Sequence, residues 1–229
     1  MPHSLKALIF DLDGTLAETE EVHRQAFNDA FAEAGLDWHW DREIYRGLLA
    51  VAGGRERLAA FAPEVAADLL DRLHQAKSRH FQKRLREGKL TLRPGVAALF
   101  AQARAKAIRL AVATSSRRES ALAVLAPHAP LMPLDALITG EEVGRKKPDP
   151  EIYRLALTRL CLEPGEALAI EDSDLGLASA RAAGLAVLVT PGLYTLGQDF
   201  TGALAVRPSL EGLDLDALWM LRSLNILRS

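Results

Sequence analysis

The chain has a single cysteine, Cys161, among its 229 residues. One thiol cannot close an internal disulfide, so the fold is not held by disulfides, and a reducing, cytoplasmic setting is expected. There is no run of 18 apolar residues, which excludes a transmembrane helix. The apolar stretch near the N-terminus is short and ends in acid at Asp11, which is not the layout of a signal peptide. Charge of one sign is not in excess either: 28 basic residues face 30 acidic ones, for a net charge of −2. A dedicated nucleic-acid binder would show a basic footprint, so neither nucleic acid nor membrane is expected as a partner. Lysine is scarce, 7 residues against 21 arginines. An arginine bias marks either genomic composition or anion binding, and composition does not choose between them. Internal repeats and low-complexity segments are absent from the sequence.

What is present is ordinary for a globular protein, with 49% hydrophobic and 25% charged residues. The length fits one large domain or a domain carrying an insert. Such a chain buries roughly 70–75% of its unfolded surface, enough for a core without a structural metal. The short apolar run Leu5–Phe10 predicts a buried strand. Glu18–Ala34 reads as a helix, with Val22, Ala26, Phe27, Ala30, Phe31 and Ala34 at helical spacing. Glu18, Glu20 and Glu21 suit its positive N-terminal end, and Gly35 suits its stop. A second long helix is expected over Pro63–Arg86, with Pro63 in its first turn and Val65, Leu69, Leu73, Phe81 and Leu85 on one face. Between them lie shorter pieces and a loop at Gly53-Gly54. No strand is expected from about residue 17 to 89.

After Arg93-Pro94-Gly95 the pattern alternates. Helices are expected over Val96–Lys106, Arg117–Leu125, Pro150–Leu160 and Leu175–Ala183. Strands are expected over Ile108–Ala113, Ala136–Ile138, Ala167–Ile170 and Leu185–Val189, and one more helix over Gly212–Leu227. Alternation of this kind predicts an α/β fold, a parallel sheet flanked by helices. The strands are apolar throughout, as strands covered on both faces are. The first strand has no partner in the helical stretch and must join this sheet. The expected organisation is therefore a core of residues 1–16 and 90–229 with an α-helical domain, 17–89, inserted after strand one. Its hinges would lie near Gly14–Thr19 and Lys89–Gly95.

Open parallel sheets bind ligands beyond the carboxyl ends of their strands. Strand one is followed there by Asp11-Leu12-Asp13-Gly14-Thr15, and the strand ending at Ala113 by Thr114-Ser115-Ser116. Lys147-Pro148 precedes a helix, and Glu171-Asp172 follows the strand ending at Ile170. Carboxylates, hydroxyls and one lysine on a single edge suit a hard cation together with a phosphate. An EF-hand also begins with acids two apart, but its glycine stands at the sixth loop position. Here Gly14 comes fourth and a strand precedes, so calcium is disfavoured.

These four stretches, in this order, resemble motifs I to IV of the haloacid dehalogenase superfamily, and the likeness covers nearly the whole chain. It implies a Rossmann-like core, and the helical insert resembles the small cap of the superfamily's first subclass. Within it the chain resembles the CbbY-type sugar-phosphate phosphatases, close kin of β-phosphoglucomutase. Carrying that likeness are Leu16–His23, Trp38–Tyr45, Gly53–Arg57, Lys146–Tyr153 and Pro191–Tyr194. The resemblance implies removal of the C1 phosphate from xylulose 1,5-bisphosphate, a Rubisco inhibitor. A phosphomutase or a phosphoglycolate phosphatase is the alternative, and a non-catalytic phosphometabolite binder is a further one from another class.

Physics and the resemblance together assign roles. Asp11 would be the nucleophile, forming an aspartyl-phosphate. Mg²⁺ held by Asp11, Asp172 and the carbonyl of Asp13 would remove the repulsion between carboxylate and phosphate, with Glu171 ligating directly or from behind. Asp13 would protonate the leaving sugar oxygen and then take a proton from water. A departing halide needs no such acid, so Asp13 argues against dehalogenation. Thr114 and Lys147 would hold the phosphoryl oxygens, aided by Ser115, Ser116 and Thr15, while Lys146 is a solvated neighbour. In the cap, Glu20, His23 and Tyr45 are candidates for the sugar. Gly53, Gly54 and Arg55 form the first candidate for a second phosphate, with Arg57 in reserve. Trp38 and Trp40 are expected to pack the cap. The expected partner is a phosphorylated sugar; a bisphosphate would bridge core and cap, so that its far phosphate would help drive closure, and a monomer is expected.

Overall fold

The computed structural model describes residues 4–51, 53–87, 90–130 and 132–226, with side chains described through residue 220. Met1-Pro2-His3, Lys89 of the expected second hinge and Leu227 at the end of the expected last helix lie outside them.

The chain divides into two compact units, one running through Glu18 and resuming at Leu92, the other spanning Thr19–Thr91. In the first unit the apolar runs become β1 (Ala7–Phe10), β2 (Arg109–Ala113), β3 (Ala136–Ile138), β4 (Ala167–Glu171) and β5 (Ala186–Val189). A two-residue strand, β6 (Ala205–Val206), completes a six-stranded sheet in the order β3-β2-β1-β4-β5-β6. Every pairing is parallel. Two residues carry no periodicity, which is why β6 left no trace in the sequence pattern. Every residue of β1 and β4 is buried, because helices cover both faces.

Among the described residues this unit holds the α-helices α5 (Val96–Ala105), α6 (Arg118–Leu125), α7 (Glu151–Leu160), α8 (Asp174–Ala182) and α9 (Leu215–Ile226). Strand alternation divides the core in two. Ala7, Ile9, Ala111, Ala113, Val187 and Val189 join Tyr153, Leu157 and Leu177 of α7 and α8 on one face. On the other, Phe10 packs its ring 4.9 Å from that of Phe100 of α5. Register then places the site. Phe10 of central β1 pairs with Val112 on one side and Ile170 on the other, so Asp11, Thr114, Glu171 and Asp172 all follow at the same sheet edge.

The second unit is helical: α1 (Thr19–Glu33), α2 (Arg42–Leu48), α3 (Gly54–Phe61) and α4 (Ala67–Arg86). The stripe of α1 (His23, Ala26, Phe27, Ala30, Phe31) packs on α4, and Trp40 meets Phe31 and Phe61 edge-on and Phe27 at a tilt. Trp38 meets Phe31 and Phe61, so both tryptophans are packing residues.

Three details differ from the expected elements. The helix expected from Pro63 starts at Ala67, because Ala66 is extended (ψ 138) and breaks the period. Its buried face is accordingly Leu70, Leu73, Ala76, Lys77, Phe81 and Leu85, while Val65 precedes the helix and Leu69 is only half-buried. The expected loop at Gly53-Gly54 is the start of α3, with Gly53 at its cap. No helix among the described residues is long and apolar enough to cross a membrane.

Candidate active site

At the end of β1 the backbone of Asp11 still donates to Ile170 of the neighbouring strand, 2.9 Å away, which fixes where its side chain starts. The chain then turns through Gly14 at φ +85, a left-handed conformation that favours glycine. A Cβ there would fall 2.2 Å from Oδ2 of Asp172, so this backbone lies directly against a carboxylate.

Lys147, on the loop before α7, donates to Asp11 Oδ1 at 2.6 Å and to Glu171 Oε1 at 2.7 Å. Glu171, the last residue of β4, is fully buried. Its Oε1 also accepts the Tyr153 hydroxyl of α7, whose ring lies 5.0 Å from the Lys147 ammonium, and its Oε2 accepts the backbone N–H of Asp172 at 3.2 Å. Thr195 donates its hydroxyl to Asp172 Oδ2 at 3.2 Å.

Asp11, Glu171 and Asp172 each offer an oxygen within 4.8 Å of the others, all three buried. Three carboxylates face the one ammonium of Lys147. Burial, with Glu171 and Asp13 adding to it, pushes Asp11 up to about 7 against the pull of Lys147. Asp172 is raised well above the carboxylate range by burial and by Asp11 and Glu171. Burial works against the charge on Lys147, but Asp11 and Glu171 outweigh it and hold the ammonium above its ordinary value. A buried cluster with surplus negative charge and only oxygen donors fits a hard divalent cation such as Mg²⁺. Glu171 belongs to the cluster by distance, but both its oxygens already serve protein donors.

The Asp13 side chain turns to the other motif. Ser116 donates its hydroxyl to Asp13 Oδ2 at 2.6 Å, and Thr114 approaches the same oxygen at 3.4 Å while accepting the Ser116 N–H at 3.0 Å. Ser115 is half-buried. Thr15 is fully buried, and its hydroxyl has no hydrogen-bond partner among the described residues. Lys146 and the arginines 117 and 118 are exposed.

The helical unit holds a second cluster. Tyr45 donates its hydroxyl to Glu20 Oε2 at 2.6 Å, and Arg57 Nη1 reaches the Tyr45 oxygen at 3.2 Å and Glu20 at 3.8 Å. Arg57 also donates to the carbonyl of Val51 at 3.0 Å. Arg55 is not part of this group; it forms an exposed pair with Asp71, Nε to Oδ1 2.5 Å. His23 is buried, stacked on Phe81 with ring centroids 3.9 Å apart, and its Nδ1 lies 2.8 Å from Lys77 Nζ. An ammonium has no lone pair, so Lys77 is the donor and Nδ1 the acceptor. Burial, then Lys77, Arg57 and His74, hold the imidazole well below its ordinary pKa, so it is neutral.

Sequence reasoning left Tyr153, Arg93, Thr195 and Lys77 without roles. Tyr153 stands six residues after Lys147, and only the fold reveals that they meet over Glu171. Arg93 falls within the expected hinge near Lys89–Gly95; its guanidinium is buried among the carbonyls beside the site.

A family model of the haloacid dehalogenase-like hydrolases matches residues 5–184. The chain is 48% identical over 208 residues to the protein CbbY of Rhodobacter capsulatus, covering 87% of this chain and 91% of that one. The crystal structure of CbbY from Rhodobacter sphaeroides in complex with phosphate superposes with a TM-score of 0.86 at 44% identity, covering 93% of this chain and 99% of that one. A mutant of the same protein, crystallised in complex with xylulose-(1,5)bisphosphate, matches with the same TM-score of 0.86, identity of 44% and coverage of 93% and 99%.

Proposed function

The chain belongs to the haloacid dehalogenase-like hydrolases and is a phosphatase acting on sugar phosphates, and from that premise we propose that it converts xylulose 1,5-bisphosphate to xylulose 5-phosphate and inorganic phosphate. The observation that carries the reading is the buried Asp11–Lys147–Asp172 cluster with Asp13 two residues from the nucleophile. Its support on the substrate side is the likeness to a CbbY whose mutant was crystallised with that bisphosphate.

The proposed reaction has two displacements at phosphorus. In the first, a carboxylate oxygen of Asp11 forms a bond to phosphorus, the bond from phosphorus to the sugar oxygen breaks, and Asp13 gives that oxygen a proton. In the second, water attacks the aspartyl-phosphate, Asp13 takes its proton, and the bond to Asp11 breaks. Ser116 holds the Asp13 carboxyl in place for both transfers. Lys147 and Thr114 steady the phosphoryl oxygens. Glu171 keeps Lys147 beside Asp11. Asp11 and Asp172, with the Asp13 carbonyl, would hold Mg²⁺, which when bound offsets the repulsion between carboxylate and phosphate.

For the substrate we assign Glu20 to the sugar hydroxyls; Tyr45, expected to meet the sugar, is instead fully buried and holds the Glu20 carboxylate with its hydroxyl. Arg57 is committed to Tyr45, Glu20 and the Val51 carbonyl and so orients that pair. Arg55 is held by a single exposed carboxylate, a weak tie, and is the arginine able to turn to a second phosphate. The test is release of inorganic phosphate from xylulose 1,5-bisphosphate by the purified protein with Mg²⁺. Asp11→Asn should lower turnover by about 10³-fold or more, and full turnover in that variant would overturn the nucleophile. Arg55→Ala should raise KM for the bisphosphate and leave monophosphate substrates unchanged. Net isomerisation of β-glucose 1-phosphate in the presence of a bisphosphate primer, without phosphate release, would replace the phosphatase by a mutase.

A further inference from the structure

Asp172 lies in a slot with two backbone walls. One is the turn at Gly14, where a Cβ would sit 2.2 Å from Asp172 Oδ2. The other is the turn after β5, where a Cβ on Gly192 would sit 3.3 Å from the same oxygen. Thr195, three residues on in that turn, donates to it at 3.2 Å. Oδ2 of the carboxylate is therefore held between the two turns, and a shift of either wall changes where it sits.

One side chain joins both walls. Arg93 donates through Nη1 to the Gly14 carbonyl and, at 2.7 Å, to the Thr190 carbonyl; through Nη2 it donates to the Pro191 carbonyl at 2.8 Å. Its Nε lies 3.1 Å from Glu18 Oε1. The side chain is 9% exposed, and the backbone N–H of Arg93 is itself tied to the Leu16 carbonyl at 2.8 Å. Only a planar fork of fixed donors spans such a gap; an ammonium is a single point.

We propose that Arg93 is a positioning residue for Asp172, setting the spacing of the two walls and through it the selectivity of the carboxylate site for Mg²⁺. The inference rests on reading Asp172 as a metal-holding group. Mg²⁺ demands near-ideal geometry at short distance, whereas Ca²⁺ accepts a looser and larger oxygen cage. A wall that relaxes by a few tenths of an ångström therefore penalises Mg²⁺ more than Ca²⁺. A side chain that merely stabilises the fold would not change that ratio.

The experiment is calorimetric titration of the full chain with Mg²⁺ and, separately, with Ca²⁺, without substrate. Arg93→Gln should weaken Mg²⁺ binding about tenfold, the usual scale for a group that orients a ligand, and weaken Ca²⁺ binding less. Arg109→Gln is the control: this arginine also donates to a carbonyl, that of Leu160. It should lower the melting temperature and leave both affinities at wild-type values. A folded Arg93→Gln protein that binds Mg²⁺ within about twofold of wild type, or loses both ions equally, overturns the proposal. Should that variant not fold, Arg93→Lys is read by the same criterion. Wild type that takes up no Mg²⁺ would remove the metal reading and this inference with it. Normal phosphate release by a wild type whose Mg²⁺ affinity is indifferent to Arg93 would remove the inference alone.

Discussion

Glu171 ends β4 with no solvent exposure, and a buried carboxylate must be answered by donors. Three answer it: Lys147, Tyr153 and the N–H of Asp172. Lys147 and Tyr153 share one oxygen, so the phenol takes up part of the charge that would otherwise draw the ammonium away from Asp11. Burial and Glu171 in turn keep the phenol protonated, with its pKa held well above the ordinary value. Tyr153→Phe keeps the ring in its place and deletes the donor alone. Unfolding in urea should show a loss of about 1.5–3 kcal/mol, the scale of a hydrogen bond to a charged group. Steady-state kinetics should show kcat falling with KM nearly unchanged, because Lys147 shifts toward Glu171 and away from the nucleophile. A variant with wild-type kcat and wild-type stability would show that Glu171 does not need the phenol.

At the scale of the element, the pair His23–Lys77 ties α1 to α4 and carries its own pH dependence. His23 is held neutral in the folded protein, its pKa depressed, while in the unfolded chain it titrates near 6.5. Below that pH the unfolded state takes a proton that the folded state refuses. Stability from this group is therefore fully present above about pH 6.5 and falls as the pH drops, by at most about 1.4 kcal/mol per pH unit for one group. His23→Gln retains an acceptor for Lys77 and has no titration, so its stability should fall less steeply between pH 6.5 and 5 in chemical denaturation. Equal slopes for the two proteins would place the titrating group elsewhere. The elements themselves were legible wherever packing imposes a long period. The stripe of α1 and the apolar runs that fill β1 and β5 and make up most of β2 and β4 announce themselves within their own residues. The short α2 and α3 and the two residues of β6 offer too few turns of any period to read. The site follows the same division. Asp11, Asp13, Thr114, Lys147 and Asp172 stand where strands and loops end, which the order of elements locates. Tyr153 and Arg93 act across 18 residues to Glu171 and 97 residues to Thr190, and no local pattern records such a contact.

For the whole molecule, the parallel sheet is what makes the site and also what makes it costly. Its register brings residues from four separated stretches to one edge, and three of them are carboxylates buried within 4.8 Å of one another. Without a cation, folding must bury like charges or bind protons. Asp11, at about 7, does the latter: its folded pKa exceeds its ordinary value of 3.8, so the metal-free fold takes up a proton between those values and loses this contribution to stability as the pH rises through 7. Mg²⁺ competes with that proton, since only the ionised carboxylate is a ligand. Mg²⁺ should therefore raise the melting temperature, and more at pH 8 than at pH 6. At a free concentration 100 times its Kd the gain is about 2.7 kcal/mol, or about 5–10 °C for a chain of this size. Thermal melts of the EDTA-treated protein with and without Mg²⁺ measure it, and Asp172→Asn should abolish most of the increment. An increment that is larger at pH 6, or that survives in Asp172→Asn, would mean that the stabilising ion sits somewhere other than this carboxylate edge.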